Sequence, residues 1–485
     1  MTDRIELETK CRKRGLHVGL YGVGLDTYWP QFEGLYQRLQ GYQDRIRSRI
    51  EREGVTVFDV GIVDNPEKAR IAADVFAASN LDLILLNIST YALSSTVLPV
   101  VQRVNAPVVV LSLQPTKTID YEYVNSLGDR GQMTGEWLAY CQACSAPEIA
   151  SVFNRVGAAY HLVTGSLDDE EAWQEIDEWL QATRVRSVMQ NNRVGFLGHY
   201  YSGMLDVYSD MTQQAGVFGN HFELLEMDHL YMLRKQVTGA QIQDKLEQFH
   251  REFLVSPACS QAELYRGAKT SCALDALVEN YDLGSLAYYY EGEPGGQFED
   301  MVTSFIAGNT LLTAHHVPSA GEGEIKNVQA MKIMDAFGAG GSFSELYALD
   351  LEDNAVMWGH DGPAHAAIAE GRVELVPLPV YHGKSGQGLS IQMTVRHGPV
   401  TFLSVIQHGD GAIKLLVAEG ESVPGPILEI GNTNSRYHFC LSAKEFVRRW
   451  CIAGPAHHAA IGLGHIGTKL EKLASLLNIE LIRIC

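Results

Sequence analysis

Between residues 16 and about 115 the chain repeats one pattern, a short apolar run followed by a longer stretch with charges on one face. Leu16–Tyr21, Val55–Val60, Leu81–Leu86 and Val108–Leu113 read as buried strands. Gln31–Glu53, Pro66–Ala78 and Val97–Val104 read as helices between them. This rhythm predicts a parallel, doubly wound sheet, whose right-handed crossovers line the strand C-termini along one edge, where ligands usually sit. After a charged segment, Asp168–Arg184, the pattern starts again. Strands are expected at Arg193–Leu197, Phe222–Glu226 and Ser285–Tyr290, with helices near Gly203–Ala215, at Ala240–Phe253 and at Ala273–Tyr281.

The last third changes period. Ile391, Met393 and Val395 alternate with Gln392, Thr394 and Arg396, the pattern of a half-buried strand. His397-Gly398-Pro399 reads as a turn into Val400–Ile406, and His408-Gly409-Asp410-Gly411 as a turn into Ala412–Ala418. Successive hairpins imply an antiparallel sheet or barrel, and Thr468–Leu477 reads as a closing helix. The expected fold is α/β: two doubly wound parallel-sheet domains (1–175 and 176–325) and a β-rich, barrel-like C-terminal domain (326–485).

Charge narrows the partners. With 38 basic against 58 acidic residues the net charge is -20, which argues against nucleic acid and against anionic lipid. Met1–Arg14 is polar and lacks the apolar run of a signal peptide, and no apolar stretch is long enough to span a bilayer. The eight cysteines show no disulfide-framework spacing, so a reducing cytoplasm is expected, with the Cys141/Cys144 pair in a structural role. Gly462-Leu463-Gly464-His465-Ile466-Gly467 matches a dinucleotide fingerprint, but the 18 residues after it are too few to complete the unit.

Four runs could carry chemistry. In Ala320-Gly321-Glu322-Gly323-Glu324-Ile325-Lys326 a glutamate sits between glycines, just before a helix from Ile325 to Phe337. In Gly338-Ala339-Gly340-Gly341-Ser342-Phe343-Ser344-Glu345 a glycine-rich loop delivers a second glutamate to an apolar strand. Trp358-Gly359-His360-Asp361-Gly362-Pro363-Ala364-His365 places two histidines and an aspartate within six residues. Gly454-Pro455-Ala456-His457-His458-Ala459 holds adjacent histidines, which point to opposite sides, so that one of them faces a site. Singly, these read as a helix cap, an edge strand, a satisfied core histidine and polar surface. Together they supply carboxylates and imidazoles, a donor set suited to Mn²⁺, and also to Co²⁺ or Mg²⁺, rather than to thiolate-rich zinc.

These runs resemble those of the L-arabinose isomerases, in the L-arabinose/L-fucose isomerase superfamily. Ala-Gly-Glu-Gly-Glu-Ile-Lys is similar to the family's Gly-Glu-Gly-Asp-Trp-Lys, Gly-Gly-Ser-Phe-Ser-Glu to its Ser-Phe-x-Glu, and Gly-Pro-Ala-His-His to its Gly-Gly-Ala-His-His. The resemblance implies that Glu322, Glu345, His360 and His458 hold the metal, and that Glu322 and Glu345 are the acid and base of aldose–ketose isomerisation through a cis-enediol. It also implies a small-molecule sugar as partner, a homo-oligomer built on trimers, up to a hexamer, and sugar contacts at Tyr28, Tyr91, Asp129, Met204 and His457. Asp129 stands where the family carries a histidine, and Gly22–Trp29 replaces its N-terminal loop, so a sugar other than, or in addition to, L-arabinose is expected. The competing expectations are a metal-dependent hydrolase or epimerase of a sugar derivative, and a non-catalytic sugar-binding protein of the same fold.

Overall fold

The structure is a computed structural model that describes residues 15–293, 295–379 and 388–485; the polar N-terminal stretch lies outside them. The chain divides into two compact units, one over Arg12–Ser187 and the other taking in Val188–Cys485.

In the first unit β1 (Leu16–Val23), β2 (Val55–Val63), β3 (Leu83–Ile88), β4 (Val108–Gln114) and β5 (Tyr160–Ser166) form one parallel sheet in the order β2-β1-β3-β4-β5. The chain reverses its direction of winding between β1 and β3, which opens a crevice at their C-terminal ends. The helix Pro66–Ala78 shows how local sequence sets such an element. Asn65 caps it, its side chain accepting from Lys68 N–H at 3.0 Å, and Pro66 fills the first turn, where no N–H is needed. Its buried face, Ala69, Ala72, Ala73 and Phe76, packs on the sheet. Removing the Phe76 ring would cost about 3–5 kcal/mol.

The second unit begins with β6 (Arg193–Gly198) and β7 (His221–Leu225), followed by the two-residue β8 (Leu254–Val255), then β9 (Ser285–Tyr289) and β10 (Ser319–Ala320). Four of these form a parallel sheet ordered β10-β9-β6-β7. The helix expected over Gly203–Ala215 is shorter, Met211–Phe218, and a loop, 199–210, precedes it. Asp210 sets the boundary: its carboxylate accepts from Thr212 and Gln213 N–H groups at 2.8 and 3.2 Å.

The rest of this unit holds β11 (Gly340–Asp350), β12 (Ala355–His360), β13 (Glu374–Pro377), β14 (Leu389–Gln392), β15 (Gly398–Gln407), β16 (Ile413–Val423), β17 (Thr433–Phe439), β18 (His458–Leu463) and β19 (Glu480–Arg483). Six of them, β15-β18-β11-β12-β17-β16, close into an antiparallel barrel through the β15–β16 pairing, and β19 adds to β16 in parallel. Trp358 and Phe402 meet edge to face inside, 5.2 Å between ring centroids. Of the alternating stretch Ile391–Val395, only Ile391 and Gln392 lie in a strand, β14, which does not form a hairpin with β15. It pairs with β13 in a separate sheet with β8, and Val395 is held by the Ser435 hydroxyl at 2.8 Å. Gly398, at φ +116°, turns the chain into β15.

The helix Ile325–Ala336 packs against β9 and β10 as well as against β11, β15 and β18. Every residue from Ile325 to Asp335 is buried, although the helix carries two lysines and polar amides. Both lysines are bonded, Lys326 to the Asp206 carbonyl at 2.5 Å and Lys332 to the His316 carbonyl at 2.8 Å, and Gln329 Oε1 accepts from Asn220 at 2.8 Å, while the Asn327 amide and Gln329 Nε2 make no hydrogen bond. Among the described residues no helix is long and apolar enough to cross a membrane.

Candidate metal centre

The centre forms where the turn after β10 meets the first residues of β18. Glu322 takes φ +61°, the left-handed region that a Cβ disfavours, and Gly323 follows at φ +69°. Gly323 is required by close approach, since a Cβ there would lie 2.8 Å from the His199 carbonyl oxygen. The strained turn is fastened by Tyr201 N–H donating to the Glu322 carbonyl at 3.1 Å and by Gly323 N–H donating to the Tyr288 carbonyl at 3.0 Å.

This geometry aims the Glu322 carboxylate at both adjacent histidines. Glu322 Oε2 lies 3.2 Å from His457 Nε2 and 3.5 Å from His458 Nε2. Ligand atoms of the three residues lie within 4.8 Å of one another. Glu322 Oε2 and His458 Nε2 are both buried and neither makes a hydrogen bond. A buried carboxylate oxygen and imidazole nitrogen that face each other without a hydrogen bond leave both lone pairs available to a cation, so the donor set fits a divalent metal.

Each histidine is backed by its own carboxylate. His458 Nδ1 is 2.5 Å from Glu324 Oε2, with both side chains fully buried. His457 Nδ1 is 2.6 Å from Asp206 Oδ2, and the same oxygen accepts from the His457 backbone N–H at 3.0 Å. A carboxylate only accepts, so each ring carries hydrogen on Nδ1 and directs Nε2 at Glu322. That is the carboxylate–histidine arrangement of metal sites. Burial favours a neutral Glu322, but the His457, His458 and His360 imidazoles outweigh it and hold the pKa down at about 2. Burial opposes charge on His457, yet Glu322 and Asp206 raise its pKa to about 9.

Glu345 lies opposite His458 in the β11–β18 register and opposite Gly359 across β12, which puts it on the same sheet face as His458. Phe343 packs between two histidine rings, 4.4 Å from His360 and 4.1 Å from His458, while those two are 5.3 Å apart. Glu322, His457 and His458 thus converge at the start of β18, with His360 at the end of β12 near His458 and Glu345 beside His458 in the middle of β11. Met204 sits on the 199–210 loop, two residues from Asp206. Tyr28, Tyr91 and Asp129 fold into the first unit. Tyr28 and Tyr91 belong to its aromatic cluster after β1 and β3, and Asp129 caps the helix Arg130–Leu138, accepting from Gln132 N–H at 2.8 Å. The sequence alone does not single out Glu324 and Asp206. The second glutamate of the Gly-Glu-Gly-Glu run is the visible signal for Glu324, and Asp206 has none.

Comparison with known proteins agrees with this architecture. Residues 354–484 match the family described as L-fucose isomerase, C-terminal domain. The L-arabinose isomerase of Nocardioides sp. is 22% identical over 350 residues, 70% of this chain and 68% of the relative. That of Klebsiella pneumoniae is 23% identical over 353 residues, covering 69% and 68%. That of Bifidobacterium longum is 22% identical over 397 residues, covering 76% and 72%. These matches, with the two parallel sheets and the closed barrel, support a divergent arabinose isomerase-like protein.

Proposed function

We propose that the protein is a metal-dependent aldose–ketose isomerase acting on a sugar other than, or in addition to, L-arabinose. The observation that carries this reading is the convergence of Glu322 with two carboxylate-backed histidines around unbonded, mutually facing donor atoms. Glu322, Glu345, His360 and His458 would hold the metal. A divalent cation bound there supplies positive charge against the negative charge that develops on the sugar oxygens.

The protein's own groups then divide the proton work. With its pKa near 2, Glu322 is ionised at neutral pH and can accept a proton. Glu345, on the neighbouring strand, is the partner carboxylate. One of the pair takes the C2 proton and the other moves a proton between O1 and O2, through a cis-enediol. His457, half exposed beside Glu322, would contact the sugar. Met204 would contact it as well, and the departures at Tyr28, Tyr91 and Asp129 from the residues of the L-arabinose isomerases favour a sugar other than L-arabinose. Manganese as the metal (with Co²⁺ or Mg²⁺ as alternatives), a trimer-based homo-oligomer, a cytoplasmic location and a division into three domains belong to the same reading.

The test is ketose formation by protein stripped of metal and reloaded with Mn²⁺, across pentoses, hexoses and deoxy sugars. Metal-dependent ketose from one of them is the expected result. Metal bound at a stoichiometry near two with no ketose would favour a hydrolase or epimerase, and sugar binding without turnover would favour a binding protein.

A further inference from the structure

The loop 199–210 leaves β6 and is anchored at three points around the centre. Tyr201 N–H donates to the Glu322 carbonyl at 3.1 Å. Lys326, buried in the first turn of the central helix, donates to the Asp206 carbonyl at 2.5 Å. Ser209 Oγ and Asp210 N–H both donate to Gln407 Oε1 at the end of β15, at 2.9 and 3.1 Å. With its backbone fixed in this way, Asp206 turns one oxygen to a residue 251 positions away. Oδ2 accepts from both the backbone N–H and Nδ1 of His457, and Nε2 on the far side of the ring then stands 3.2 Å from Glu322.

Two bonds from one oxygen to one residue fix both the place and the rotation of an imidazole whose terminal torsion is otherwise broad. The Glu324–His458 pair has the same design but is sealed, as suits a standing ligand. The Asp206–His457 pair is partly exposed, as suits a residue that must meet a small molecule arriving from solvent.

We propose that Asp206 is a positioning residue: it holds Nδ1–H of His457, so that Nε2 is presented beside Glu322 to the sugar hydroxyls. Asp206 itself does not touch the sugar. This rests on the isomerase reading of the site.

The substitutions Asp206→Asn and Asp206→Ala separate the roles. An asparagine carbonyl oxygen can accept both bonds, and an alanine can accept neither. Asp206→Ala is expected to lower kcat ten- to a hundred-fold with KM changed less than threefold, and Asp206→Asn to recover most of that loss, at unchanged Mn²⁺ content and melting temperature. Equal losses in the two variants, or wild-type kcat in Asp206→Ala, would overturn the proposal. A second readout does not depend on activity. In metal-free, ¹⁵N-histidine-labelled protein, with His457 assigned through His457→Gln, a slowly exchanging Nδ1–H resonance is expected in wild type and Asp206→Asn and should be lost in Asp206→Ala. Its persistence in Asp206→Ala would overturn the positioning role. The expected spectra in a protein that turns over no sugar would support the positioning of His457 while removing the isomerase reading.

Discussion

Glu324 and His458 form a sealed pair, with Glu324 Oε2 2.5 Å from His458 Nδ1 and both side chains without access to solvent. The two residues are 134 positions apart and are brought together by the central helix packing on β18. The pair fixes the ring so that Nε2 faces Glu322.

Replacing Glu324 by glutamine keeps the shape and removes the charge. Mn²⁺ affinity is expected to fall about 10- to 100-fold, the usual effect of losing a carboxylate behind a ligating histidine. Calorimetric titration of metal-stripped wild type and Glu324→Gln measures it. Equal affinities would mean that His458 is not a ligand.

Glu322→Gln removes the carboxylate on which both histidines converge. Turnover on whichever sugar proves active is expected to fall by about 10²–10⁴-fold, the range typical of a lost general acid or base. Steady-state kinetics on folded, metal-loaded variant protein checks this, and wild-type turnover would remove Glu322 from the chemistry.

Much of the architecture is legible in the sequence because strands buried on both faces leave continuous apolar runs, as in Leu83–Ile88, and caps such as Asn65 leave local marks. The runs around Glu322, Glu345, His360 and His458 are visible because glycines bracket them. Asp206 and Glu324 are not, since their roles arise from contacts across 251 and 134 residues that no local pattern records. The same reason explains β14. Its alternation reveals a strand, but nothing in Ile391–Val395 says that the partner is β13 rather than β15. The expected helix over Gly203–Ala215 starts too early because Asp210, which caps the real one, sits inside a stretch that otherwise suits a helix.

Gly323 tests the strained turn. Alanine there must keep φ near +69° and also meet the His199 carbonyl at 2.8 Å. Gly323→Ala is expected to destabilise the protein by roughly 1–3 kcal/mol and to weaken Mn²⁺ binding by moving Glu322. Urea unfolding and metal titration of the same preparation measure both, and an unchanged metal affinity would argue that the turn does not aim the carboxylate.

His365 gives a pH signature of stability. It is enclosed near the start of β11, its ring nitrogens make no hydrogen bond, and burial lowers its pKa from 6.5 to about 4, against the partial support of Asp335. The unfolded chain therefore binds a proton between pH 6.5 and 4 that the folded chain refuses. Stability from this group is full above pH 6.5 and is lost as pH falls toward 4, on the order of 3 kcal/mol in all. His365→Gln should lose less stability than wild type between about pH 7 and 5, judged by urea midpoints. Parallel curves would show that His365 does not titrate on unfolding.

The most direct measurement is anomalous diffraction at the manganese edge from crystals soaked in Mn²⁺. The expected result is one strong peak per chain within bonding distance of Glu322 and His458 Nε2. Manganese bound only elsewhere, with Glu322 and His458 still facing each other across an empty gap, would contradict a metal centre at these residues.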